Sequence, residues 1–186
     1  MKIINQVKNL IEYTQEFNLL TAFKIYLNNR SKSNFLTINW GKHQNLVFYR
    51  SNSSDFLTLR QILGQEELKM PYSINPNFIV DAGANVGYSS LYYADMFPNT
   101  KIVGIEPDQE NAKLFRQNTK DFPNIKLLEA ALWSSQERLA IQNPDSDYWS
   151  YQVSEADSNS LKPIKGITIL DILSIFEEES IDILKM

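Results

Sequence analysis

The chain reads as an α/β domain with a mostly parallel central sheet. Three apolar runs of strand length, Phe78-Ile79-Val80, Lys101 to Glu106 and Ile125 to Ala130, alternate with helical patterns at Tyr88 to Met96 and from Pro107-Asp108 through Thr119. The order is βαβαβ, and parallel strands need such crossovers. The link between the first strand and its helix is Asp81-Ala82-Gly83-Ala84-Asn85-Val86-Gly87. Its glycines allow a sharp turn and let a ligand approach where a Cβ would collide, while the new helix offers unpaired N–H groups. The G-x-x-x-G spacing differs from the G-x-G-x-x-G that cradles a pyrophosphate, and an acid at the strand end repels phosphate. Together these features favour a small ligand with a positive centre.

The remaining elements follow in order. Ile3, Ile4, Val7, Leu10, Ile11, Phe17, Leu20, Phe23 and Tyr26 recur at about helical spacing, giving one or two amphipathic helices before Asn28-Asn29-Arg30-Ser31. Their polar positions are poor in Lys and Arg, which favours packing on protein over a membrane surface. Phe35 to Trp40 and Leu46 to Tyr49 form a strand pair around Gly41-Lys42-His43-Gln44, and residues 1–45 constitute a helical and hairpin cap ahead of the sheet domain at 46–186. Leu57 to Leu68 reads as a helix capped by Ser54 or Asp55. Beyond Ala131-Leu132-Trp133, Leu139 to Ile141 and Tyr148 to Val153 are expected as short antiparallel strands, and the polar stretch from Ser154 to Pro163 as a loop. Ile167 to Leu170 and a helix from Asp171 to Glu178 lead into a last strand, Ile181 to Lys185.

The 186 residues suit one domain with enough apolar content, 43%, to bury a core. A net charge of −4 without a basic stripe argues against nucleic acid as the main partner. The absence of cysteine excludes disulfides and thiolate metal sites. No apolar run is long enough for a membrane span and no secretory signal is visible, so the cytoplasm is the default compartment.

Glu106 follows Gly87 by nineteen residues and ends the neighbouring strand, where its two oxygens can accept both hydroxyls of a ribose. The alternative is a carboxylate that merely favours a helix start. An adenosine would then lie across the strand tips, with Ala131, Leu132 and the flat side chain of Trp133 near its base. Asn85 and Tyr88 can meet the ligand's other end, or serve the turn and the helix start. Candidate groups for chemistry are few. The single histidine, His43, falls in a hairpin turn. Tyr148, Trp149 and Tyr151 can flank an acceptor or simply pack.

Phe78 to Gly87, Gly104-Ile-Glu-Pro107, Ala130-Ala-Leu-Trp133, Arg50-Ser-Asn-Ser-Ser-Asp55 and Ile181-Asp-Ile-Leu-Lys185 together resemble the FkbM family of S-adenosylmethionine-dependent methyltransferases, over a stretch from about Leu46 to the last residue. The resemblance implies a Rossmann-like class I methyltransferase fold and S-adenosylmethionine as cofactor. It implies that Asp81, Gly83, Ala84, Asn85, Gly87 and Tyr88 hold the methionine part, that Glu106 with Pro107 holds the ribose, and that Ala131 and Leu132 lie at the adenine. It further implies O-methylation of a sugar, glycan or small-metabolite hydroxyl. The segment containing Asp55 lies near the cofactor pocket in that family, against a competing role as a helix cap. The family pattern continues past Ile181-Asp-Ile-Leu-Lys185 with a further acid and more strands, so the expectation is a domain truncated at its C-terminus. That predicts weak or absent catalysis, no assignable catalytic residue, and association between copies through the edge at Ile181, Ile183 and Leu184. The alternatives are a non-catalytic remnant or partner-binding module, and a nicotinamide-dependent oxidoreductase with a degenerate glycine loop.

Overall fold

A computed structural model describes residues 10–28, 33–51, 53–141, 153–155 and 163–186. The chain divides into two compact units, Met1–Lys69 and Met70–Met186.

In the first unit, α1 (helical over 10–16) and α2 (Leu19–Asn28) precede an antiparallel hairpin of β1 (Phe35–Trp40) and β2 (Asn45–Arg50), in register from Phe35↔Arg50 to Trp40↔Asn45. β2 completes this hairpin, and the first compact unit extends to Lys69. Alternation along the strands buries Leu36, Ile38, Val47 and Tyr49, and α2 buries Thr21, Ala22 and Ile25. The helix expected over Leu57 to Leu68 is shorter. It runs as α3 (Asp55–Leu59) and widens into one π-helical turn, Arg60–Gly64. The Arg60 guanidinium grips Glu16 of α1 through two hydrogen bonds, of 2.7 and 2.5 Å. Ser54 makes no side-chain capping bond. Asp55 does not cap either: its carboxylate is fully buried and held by the backbone N–H of Arg50 at 2.9 Å and by the Arg50 guanidinium through two bonds of 2.8 Å.

The second unit is built on four parallel strands, β3 (Phe78–Ala82), β4 (Lys101–Ile105), β5 (Ile125–Leu128) and β10 (Ile183–Lys185), in spatial order β10-β3-β4-β5. Helices α4 (Tyr88–Met96) and α5 (Gln109–Thr119) make the crossovers. Counted by first appearance, the order is 3-2-1-4, that of a Rossmann-like sheet, with the reversal of direction beside β3. The domain is therefore a Rossmann-like α/β fold, as the alternation of elements predicts. Every residue of β3 is buried, which suits a central strand covered on both faces. Phe78, Val80, Val103, Ile105, Ala130, Ile167 and Ile172 form its core cluster.

A smaller sheet follows, in the order β6-β9-β7-β8, from β6 (Ala131–Leu132), β7 (Arg138–Ile141), β8 (Val153–Glu155) and β9 (Ile164–Ile167). β7 and β8 are antiparallel, as expected, but β8 includes Ser154 and Glu155, which the sequence assigned to a loop. Tyr148, Trp149 and Tyr151 lie outside the described residues. The segment expected as Ile167 to Leu170 divides differently: β9 ends at Ile167, Thr168 caps α6 (Ile169–Phe176), and its hydroxyl and Asp171 form a reciprocal capping box. Among the described residues, no helix is long and apolar enough to cross a membrane.

β10 is the fourth strand of the parallel sheet and its edge, in register Ile183↔Ile79, Leu184↔Val80 and Lys185↔Asp81. Asp182 sets that register. Its Oδ2 accepts from the backbone N–H groups of Asn77 at 2.7 Å and Phe78 at 3.0 Å, while its own N–H donates to the Phe78 carbonyl at 3.0 Å. The Phe78 N–H and then the Asn77 N–H hold the Asp182 carboxyl below its ordinary range.

Candidate functional site

The site forms where β3 ends. Gly83 has φ +67, Asn85 φ +50 and Gly87 φ +92, so the turn places three residues in the left-handed region between strand and helix. A Cβ at Gly83 would meet nothing within 4 Å, so the turn opens outward there. At Gly87 the reverse holds: a Cβ would lie 3.0 Å from the Phe115 ring, and the strained φ excludes other residues as well. One glycine gives access; the other lets α4 and α5 approach. Asn118 secures this packing by donating to the Val86 carbonyl at 2.8 Å, and Ala84 N–H donates to the Ile105 carbonyl at 3.0 Å.

Glu106 sits at the adjacent strand tip and is 4% exposed. Its Oε2 accepts from Asn85 N–H at 2.8 Å, and its Oε1 from Asp108 N–H at 2.9 Å and Asn111 Nδ2 at 3.3 Å. The carboxylate thus ties the glycine turn to the start of α5. Burial raises its pKa, against the lowering effect of the hydrogen bonds from Asp108, Asn111 and Asn85. A carboxylate offers about four lone-pair sites, so three donors leave room on Oε2 for one more.

Asp81 lies near the end of β3. It is 0% exposed and faces inward. Oδ2 accepts the hydroxyls of Ser89 and Ser90, both at 2.7 Å. Oδ1 accepts no hydrogen bond of good geometry, yet the Lys185 ammonium lies 3.2 Å from it. The two form an ion pair, the carboxylate buried and the ammonium partly exposed. In this structure the Asp81 carboxylate is engaged by Ser89, Ser90 and Lys185. Its field extends to Tyr93, whose phenol is pushed up to about 12 by burial first and by Asp81 second.

The other expected site residues are distributed as follows. Ala84 and Tyr88 are buried, at 2% each. Pro107 is half-buried beside Glu106. Ala131 and Leu132 belong to β6, which pairs with β9 in the smaller sheet, and Leu132 packs on the core cluster. Trp133 N–H donates to the Ile167 carbonyl at 2.9 Å. His43 is exposed in the hairpin turn, and Asp55 belongs with it to the first unit, engaged with Arg50. Sequence reasoning missed Ser89, Ser90, Asn111 and Lys185. The two serines follow Asp81 by one strand-to-helix turn, a usable signal. Lys185 reaches the site only because β10 pairs with β3.

No family model matches the chain, and no curated protein does. Among solved structures it is similar to methyltransferase FkbM from Methylobacillus flagellatus KT, at 12% identity over 100% of this chain and 42% of that one, with a TM-score of 0.45. It is also similar to precorrin-6y C5,15-methyltransferase from Geobacter metallireducens GS-15, at 23% identity over 40% of this chain and 36% of that one, TM-score 0.30. A methyltransferase from Geobacter sulfurreducens matches at 20% identity over 39% of this chain and 46% of that one, TM-score 0.28. Each match takes in less than half the length of the other protein.

Proposed function

We propose that the chain binds S-adenosylmethionine at the β3 and β4 strand tips and serves a methyltransferase acting on a hydroxyl of a sugar or small metabolite. The observation that carries this reading is the bond from Asn85 N–H to Glu106 Oε2, 2.8 Å, which joins an outward-opening glycine turn to a strand-tip acid beside the reversal point of the sheet. Nucleosides bind at such a point in open α/β sheets, with an acid on the ribose. The residues fit the nucleoside. Glu106 keeps a lone-pair site for a ribose hydroxyl, Gly83 leaves the turn open, and Asn85 Oδ1 is a buried acceptor without a hydrogen-bond partner at the same turn.

When bound, the cofactor supplies a methyl group on a sulfonium, ready for in-line displacement. The chain's task is then to hold and align, which is where most of the advantage in such transfers arises. Glu106, Asn85 and the turn fix the nucleoside; no described side chain stands out as a general base for the acceptor.

Titration calorimetry tests the reading. S-adenosylmethionine and S-adenosylhomocysteine are expected to bind saturably, with no competition from NAD. Absence of heat and of saturation with both would refute it, and tighter binding of NAD would favour the nicotinamide alternative.

A further inference from the structure

At the mouth of the turn, the charge that meets solvent is positive. Asp81 is fully closed off, whereas the Lys185 side chain keeps 24% of its exposure. The Lys185 ammonium donates to the Gly83 carbonyl at 3.1 Å and faces Asp81 Oδ1 at 3.2 Å. An ammonium has three N–H donors. One is given to the carbonyl of Gly83, a residue with open space where a Cβ would stand, while Asp81 Oδ1 balances the charge at 3.2 Å. The donor capacity that remains is open to a group arriving at the turn.

Charge decides which group that is. Two buried carboxylates, Asp81 and Glu106, end adjacent strands, and Lys185 is the cation at Asp81. A phosphate carrying two charges would meet that pair of acids with a single ammonium in its favour. A carboxylate carries one charge, and in an α-amino acid an ammonium accompanies it, so the incoming group is neutral overall. Asn85 Oδ1, buried and without a hydrogen-bond partner, is an acceptor of the kind such an ammonium needs.

We propose that Lys185 binds the carboxylate of an α-amino-acid group on the ligand, and that Asp81 is a positioning residue which holds the Lys185 ammonium against the Gly83 carbonyl. The proposal rests on the nucleoside reading above and assigns the amino-acid end of S-adenosylmethionine to β10, an element that the glycine turn alone does not reveal. Charge-assisted hydrogen bonds of this kind are short and among the stronger ones.

The test compares three ligands by calorimetry: S-adenosylmethionine, its decarboxylated form, and methylthioadenosine, which lacks the whole amino-acid end. The wild-type chain is expected to bind S-adenosylmethionine about tenfold more tightly than the decarboxylated form. Lys185→Met is expected to bring that ratio close to one while leaving methylthioadenosine affinity unchanged. The paired variant Asp81→Asn with Lys185→Met leaves no buried charge uncompensated, and it is expected to show the same collapsed ratio should the single variant fail to fold. A wild-type ratio near one overturns the carboxylate assignment, as does a ratio retained in the paired variant or an equal loss for all three ligands. If methylthioadenosine binds while the carboxylate makes no difference, only this assignment falls. If none of the three binds, the nucleoside reading falls and takes the assignment with it.

Discussion

Asp81 and Glu106 end neighbouring strands of one sheet and are almost equally hidden, at 0% and 4% exposure, yet their charges are met in different ways. Asp81 is met by side chains, two serine hydroxyls and the Lys185 ammonium. Glu106 is met by backbone and amide dipoles from Asn85, Asp108 and Asn111, with no salt-bridge cation among the described residues. A counter-charge makes the first carboxylate part of the scaffold. Dipoles alone leave the second with its pKa raised by burial, and with a lone-pair site still open. An acid at a strand tip therefore does not by itself mark the ligand contact; its partners decide which of two similar groups is available.

The largest effect should come from breaking the ion pair. Lys185→Met leaves Asp81 buried and charged, and we expect a loss of about 3 kcal/mol in urea unfolding. The paired variant Asp81→Asn with Lys185→Met removes both charges and should lose about 1 kcal/mol, because a neutral substitute for an ion pair is often tolerated. Equal losses for the single and the paired variants would show that the two charges do not act together, and the contrast between the tips would fail.

Glu106→Ala should follow. It strands the Asn85 and Asp108 N–H groups, for an expected loss of about 2 kcal/mol in stability. Nucleoside binding should weaken by about 1–3 kcal/mol in addition if the remaining Oε2 site accepts a ribose hydroxyl. Unchanged affinity in a folded variant would reduce Glu106 to a structural tie.

Titration separates the tips further. The folded Glu106 has a pKa above its ordinary 4.5, so its contribution to stability is fully present below that value and is lost as pH rises through the raised folded value. The advantage of wild type over Glu106→Ala should thus narrow as pH rises from about 4.5 through that range. Asp182 behaves oppositely. Its lowered folded pKa means that its contribution is present above its ordinary 3.8 and disappears as pH falls through the folded value. Urea midpoints of wild type and Asp182→Ala should converge in strong acid; a gap that persists there would contradict the clamp on β3.

These two tips also show what a sequence can and cannot reveal. Glu106 and Asn85 belong to one βαβ unit, so residue spacing along strand, turn and helix places both at the strand tips, although the bond between them appears only in the structure. The pair Asp81 and Lys185 is created by strand order, which places residues more than a hundred positions apart in register, and periodicity carries no information about that. Asp182 joins β10 to β3 by the same long-range route. Some misses were avoidable. Thr168-Ile-Leu-Asp171 has the spacing of a capping box, and it places the start of α6 where the structure does. Asp55 has two readings in the sequence, a helix cap and part of a segment that resembles one near a cofactor pocket, and a two-point bond to Arg50 engages its carboxylate in the structure.

The smallest expected effect isolates the charge environment of Glu106 from its hydrogen bonds. Asp108 caps α5 by accepting from Asn111 N–H at 2.8 Å, and its negative charge is the weakest of the influences that raise or lower the Glu106 pKa. Asp108→Ala removes cap and charge together and should lose about 1 kcal/mol. Asp108→Asn keeps a good cap and removes only the charge, so stability at neutral pH should change by no more than about 0.5 kcal/mol while the Glu106 titration moves downward. Carbonyl-detected NMR of that titration distinguishes the cases. A downward shift in Asp108→Asn would show that nearby charge tunes this tip; an unmoved titration would leave burial and the hydrogen bonds from Asp108, Asn111 and Asn85 as what sets it.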